Sequence, residues 1–151
     1  VVASVQGERQ VPLAKFFLAY RKIDLRPDEL IVRFVLPKCP AAGRELFRKL
    51  GPRAAQAISK VMGSCRAVVE QGTVRSLAMA LGSVAPVPMR LYEVEKLAAG
   101  RRLDESLIAE AEKLAAARVR PIDDIRSTAE YRAWAAGRLV RGFLEALLTG
   151  R

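Results

Sequence analysis

Apolar residues alternate with polar ones in short runs through the first half of the chain and recur every three to four positions through the last third. The change of period predicts strands followed by helices. Residues 1–12, VVASVQGERQVP, read as two short β segments around Gln6-Gly7-Glu8, with no evident partner nearby. LAKFFLAY is apolar, RKIDLRPDE is a charged connection broken by Pro27, and ELIVRFVL, residues 29–36, has the β-branched and aromatic content of a strand stopped by Pro37. Arg44 to Leu50 alternates as a further strand, ended by Gly51-Pro52.

The longest strand pattern is a hairpin, Ala57 to Glu70 and Thr73 to Ala85, turning at Gln71-Gly72. Setting Val69 against Val74 pairs Ala67 with Ser76, Cys65 with Ala78 and Gly63 with Ala80. One face is then small throughout, open to close approach by helices. The other is mixed, with Met62, Leu81, Arg66, Leu77, Val68 and Arg75. A slip of one residue would mix the small and bulky sets on one side.

Three helices follow. Leu91, Val94 and Ala98 share a face that ends at Gly100. Asp104 caps a segment whose Leu107, Ile108, Ala111, Leu114 and Ala115 form one stripe. Ser127 and Glu130 have capping-box spacing, and Tyr131, Ala135, Leu139, Phe143 and Leu147 follow at intervals of four with Trp134 beside them. The pattern predicts an α+β fold, a two-layer sandwich with an antiparallel sheet of three to four strands and three helices packed on one face.

Composition narrows the chemistry. The 151 residues correspond to about one domain, and no apolar stretch approaches the ~20 residues of a membrane-spanning helix. No export signal opens the sequence, so the expected location is cytoplasmic, without membrane attachment. There is no histidine, which excludes His-assisted nucleophiles and mixed Cys/His zinc sites; Cys39 and Cys65 read as buried or incidental thiols. The net charge of +10 favours anionic partners, but the arginines are scattered and aromatics few. A basic nucleic-acid-binding or protein-interaction module without redox activity is therefore the alternative reading.

FRKLGPRAAQAISKV, residues 47–61, stands apart. On a strand, Phe47 and Lys49 project to one side and offer a flat apolar face and a movable cation, a pair suited to a planar, electron-rich ring. Its plain counterpart is an edge strand with a buried Phe and a solvated Lys. No glycine-rich phosphate loop of either nucleotide-binding pattern is present.

VPLAKFFLAYRKIDLRPDELI, FRKLGPRAAQAISKV, GTVRSLAMALGSVAPVPMR and PIDDIRSTAEYR, in that order, resemble the C-terminal domain of the FAD-binding subunit of molybdenum hydroxylases, a family of xanthine dehydrogenases and carbon monoxide dehydrogenase flavoproteins. The resemblance implies that residues 13–151 are this domain and residues 1–12 the tail of a preceding FAD-binding domain. It implies FAD shared with that N-terminal domain, and molybdopterin and [2Fe-2S] clusters held in partner subunits, an iron-sulfur subunit and a molybdenum-binding subunit. Electrons would pass through FAD to an acceptor such as NAD. Phe47, Lys49 and Leu50 match the flavin's surroundings, and residues 51–60 match a mobile segment on the acceptor side. Where many relatives carry paired aspartates before an isoleucine, this chain has Gln56 and Ala57 before Ile58, a departure that alters the field on the acceptor side.

Overall fold

The computed structural model describes residues 1–150. The chain forms two compact units, Val1–Lys38 and Cys39–Arg151. In the first, β1 (Val2–Ser4) is the centre of a three-stranded antiparallel sheet with β2 (Gly7–Arg9) on one side and, later in the chain, β5 (Leu30–Ile31) on the other. The segments of residues 1–12 thus pair with each other, and β1 also has a partner in the 29–36 region. Between them lie a single helical turn, α1 (Leu13–Phe16), and a small hairpin of β3 (Phe17–Ala19) and β4 (Lys22–Ile23).

The strand expected over residues 29–36 shrinks to Leu30–Ile31, because β1 offers register partners to those two residues alone. Phe34, Val35 and Leu36 remain exposed. What holds this unit is polar: the buried Glu29 carboxylate accepts from Arg9 Nε at 2.7 Å, Arg9 Nη2 at 2.8 Å and the Arg26 backbone N–H at 2.7 Å. The paired guanidinium, aided by the backbone donor, holds the Glu29 carboxyl down at about 2.

The second unit is the two-layer sandwich. Its antiparallel sheet runs β6 (Gly43–Leu50), β7 (Val61–Glu70), β8 (Thr73–Gly82), β9 (Met89–Arg90), and α2 (Tyr92–Ala98), α3 (Glu105–Arg118) and α4 (Ala129–Thr149) lie on one face. Caps mark the helix starts as expected in kind. Asp104 accepts from the Leu107 N–H at 3.0 Å. The cap of α4 is Thr128, one residue after the expected Ser127, because Ser127 is instead bridged to Asp124. Gly100 sits at φ +73°, a left-handed conformation where a side chain would be strained.

The hairpin corrects the expected register. Val69 pairs with Val74, but Val68 then pairs with Ser76, leaving Arg75 as the extra residue of a β-bulge. Beyond it Cys65 faces Met79 and Gly63 faces Leu81. The helix-covered face therefore combines small residues from β7 with Leu77, Met79 and Leu81 from β8. Burying three large side chains at about 1.5–3 kcal/mol each outweighs the roughly 0.5–1.5 kcal/mol of one ladder hydrogen bond. The uniformly small face would have left all three in water.

Phe143, Leu144, Leu107, Ile108, Met79 and Leu81 form the centre of the core between sheet and helices. Among the described residues no helix is long and apolar enough to cross a membrane.

Candidate functional site

The helices cover one face of the β6-β7-β8-β9 sheet, so alternation along β6 decides which side chains meet them. Leu46 and Leu50 turn inward and pack against the core. Phe47 and Lys49 turn to the other face, opposite Ser64 and Met62 of β7. Phe47 is 59% exposed and Lys49 is exposed too. The structure thus brings Phe47 and Lys49 together on an uncovered surface and separates the Leu50 side chain from them. Leu50 contributes at the edge through its carbonyl, which accepts from the Lys60 N–H at 2.7 Å and closes the 51–59 loop.

The surface beside them is a ledge with a low floor. Ser64 pairs with Ala80, and Ala78 follows on the same face of β8, so between Met62 and Arg66 nothing stands above the backbone by more than a methyl or hydroxymethyl group. At one end Met62 lies flat over Gly82, its Cε 2.7 Å from where a Cβ at 82 would stand. At the other end Arg66 Nε donates to Glu45 Oε1 at 2.7 Å.

The sequence around the ledge is rich in cations, and on the ledge's own face lie Lys49 and, at the far end, the Arg66–Glu45 ion pair. From residue 46 to residue 69 the sequence contains no Asp or Glu, while Arg48, Lys49, Arg53, Lys60 and Arg66 fall within it. Lys60 Nζ stands 5.2 Å from the centre of the Tyr131 ring, a cation–π contact. The 51–59 loop is largely exposed and bonded mainly to itself, with Arg53 Nε donating to the Gln56 carbonyl at 3.1 Å and Gln56 at φ +49°.

No nucleophile or metal site accompanies the ledge. Cys65 points into the core, where burial, with a smaller contribution from the Glu95 charge, pushes its thiol up to about 12. Among the described residues no group of three Cys, Asp or Glu side chains could hold a metal ion. The arrangement can seat a flat ring and place a positive charge beside it.

The model of the CO dehydrogenase flavoprotein C-terminal domain matches residues 46–147. The chain belongs to this family. The chain is similar to a putative xanthine dehydrogenase FAD-binding subunit of Escherichia coli K12, 29% identical over 133 residues that cover 87% of this chain and 45% of that protein. The carbon monoxide dehydrogenase medium chain of Hydrogenophaga pseudoflava is 28% identical over 150 residues, covering 97% of this chain and 50% of that one. Among solved structures, carbon monoxide dehydrogenase from Hydrogenophaga pseudoflava, in a form lacking the Mo-pyranopterin moiety of the molybdenum cofactor, superposes with TM-score 0.87 at 26% identity, over 93% of this chain and 49% of that one. Quinoline 2-oxidoreductase from Pseudomonas putida 86 shares the fold, with TM-score 0.86 at 24% identity, over 99% and 51% of the two chains. This CO dehydrogenase flavoprotein C-terminal domain spans about half the length of the relatives cited here.

Sequence reasoning missed Arg132. It is 4% exposed, inside α4, and reaches three segments at once. A signal was available: position 132 is four before Ala136 and three before Ala135, within the apolar stripe, where an arginine must be buried and bonded.

Proposed function

We propose that this chain is the C-terminal part of the FAD-binding subunit of a xanthine dehydrogenase-like molybdenum hydroxylase, and that Phe47 and Lys49 line the surroundings of the isoalloxazine ring. The observation that carries the reading is their shared position on the uncovered sheet face, within the segment that matches the family model. The residues present fit a flavin ring in three respects: a floor of Ser and Ala side chains, an exposed phenyl ring at the edge, and a lysine on the same face two residues further along β6. They do not fit its pyrophosphate, for which no glycine-rich loop exists in the sequence. The phosphates are accordingly assigned to a preceding FAD-binding domain.

FAD, when bound, supplies electron transfer between one-electron and two-electron partners. This chain's own part is to exclude water from one side of the ring with Phe47 and to favour negative charge on it with the Lys49 ammonium. Leu50 acts through the backbone at the loop neck. An iron-sulfur subunit and a molybdenum-binding subunit, with molybdopterin in the latter, complete the proposed complex. Gln56 and Ala57 stand where many relatives carry paired acids, which alters the field on the acceptor side and weakens the case for NAD as the acceptor. The nucleic-acid alternative has less support, because Arg66, Arg75, Arg90, Arg101, Arg118, Arg138 and Arg141 each sit beside a carboxylate instead of forming an open stripe.

Lys49→Ala in the complete FAD-loaded subunit is the test. The expected result is a lower flavin reduction potential and a reoxidation rate altered by about threefold or more, with the melting temperature unchanged, since the Lys49 side chain is exposed. An unaltered potential and rate together with a lowered melting temperature would refute it. The chain alone should fail to bind FAD at submicromolar concentration in a fluorescence titration.

A further inference from the structure

We infer that Arg132 is the positioning residue of the 51–59 loop, fixing its base from beneath; the loop's relevance to the flavin rests on the function proposed above, whereas its anchoring does not. Arg132 Nη1 donates to the Lys60 carbonyl at 2.6 Å and to the Ser83 carbonyl at 3.1 Å, while Nη2 donates to Asp124 Oδ1 at 2.8 Å. Lys60 is the residue at which the loop re-enters the sheet. Its N–H closes the loop on Leu50, its carbonyl rests on Arg132, and its ammonium lies over the ring of Tyr131, the residue next to Arg132. The backbone N–H, the carbonyl and the side chain of Lys60 are therefore all engaged, two of them by the first turn of α4.

Ser83 is held the same way. It follows β8 with φ +66°, a conformation costly for a residue with a side chain, and its carbonyl is aimed at the guanidinium. One planar cation thus ties the start of β7 to the end of β8, next to the Met62 and Gly82 pair that ends the ledge. Asp124 keeps it in place: its Oδ1 also accepts from the Arg126 and Ser127 N–H groups, at 2.8 and 3.0 Å.

Stability alone does not account for this residue. Burying a guanidinium costs several kcal/mol before pairing, Arg132 Nε has no hydrogen-bond partner, and an apolar side chain of similar volume at such a place is often neutral or stabilising. What an apolar residue cannot do is hold two carbonyls from separate strand ends in one plane. A lysine, with its single rotating ammonium, cannot reproduce the fork. The arginine therefore contributes geometry: it fixes the base of the loop at Lys60.

The test is limited trypsin digestion of the full chain, following cleavage after Arg53 within the loop. Arg132→Lys and Arg132→Met should speed that cut by about tenfold or more, because local opening controls cleavage. Leu144→Ala, a core truncation of equal or greater effect on the melting temperature, should leave it within roughly twofold. If the Arg132 variants do not fold, Asp124→Asn, which weakens the charge holding the guanidinium, should speed the cut by about threefold. Unchanged cleavage in folded Arg132 or Asp124 variants, or an equal acceleration in Leu144→Ala, would overturn the assignment. Reoxidation of the FAD-loaded subunit separates the two claims: faster cleavage with an unaltered flavin rate upholds the anchoring and refutes the loop's place beside the flavin.

Discussion

Phe143 of α4 lies directly over the backbone of Gly63 in β7, so that a Cβ at position 63 would stand 3.2 Å from Phe143 Cε2 and within 2.8 Å of the buried Leu139 and Leu81 methyl groups. Gly63→Ala should accordingly destabilise the fold by about 1–3 kcal/mol through overpacking. Urea unfolding monitored by circular dichroism checks this. A variant as stable as the parent would show that α4 does not approach the sheet so closely.

Acid should loosen the Val1–Lys38 unit first through Glu29. Its carboxyl is held at about 2 by the Arg9 hydrogen bonds and the Arg26 backbone N–H, well below the ordinary value near 4.5. A depressed carboxyl contributes its full stabilisation above the unfolded value and loses it as the pH falls toward the folded one. The parent should therefore exceed Glu29→Gln in stability at pH 7, with the difference closing between about pH 4.5 and about pH 2. Thermal unfolding of both proteins at stepped pH measures it; a constant difference would contradict the pairing.

Cys65 should be chemically silent in the folded chain. Its thiol is buried and pushed up to about 12, so almost no thiolate exists near neutral pH. In Cys39→Ser, where Cys65 is the remaining thiol, iodoacetamide should label the protein only as fast as it unfolds. Rapid labelling under native conditions would place Cys65 outside the core.

Much of the fold was legible because it depends on short-range periodicity. The stripe of α3, the Asp104 cap and the Gln71-Gly72 turn each follow from residues within about a helical turn or a tight hairpin of one another. The hairpin register was not legible. The bulge at Arg75 is favoured by what lies across the sheet, the helices that receive Leu77, Met79 and Leu81, and no local pattern in the strand reports them. The strand expected over 29–36 failed for a related reason: β-forming composition does not supply a neighbour with which to bond.

The ledge divides in the same way. Alternation along β6 by itself determined that Phe47 and Lys49 share one side and Leu50 the other, since successive side chains on a strand must point oppositely. Only the tertiary structure decided that the shared side is the bare one, because the helices bury the Leu46 and Leu50 side and leave the opposite face to solvent. The Arg132 clamp likewise belongs to tertiary structure: its acceptors at Lys60, Ser83 and Asp124 lie far apart in sequence and meet only where α4 crosses the ends of β7 and β8.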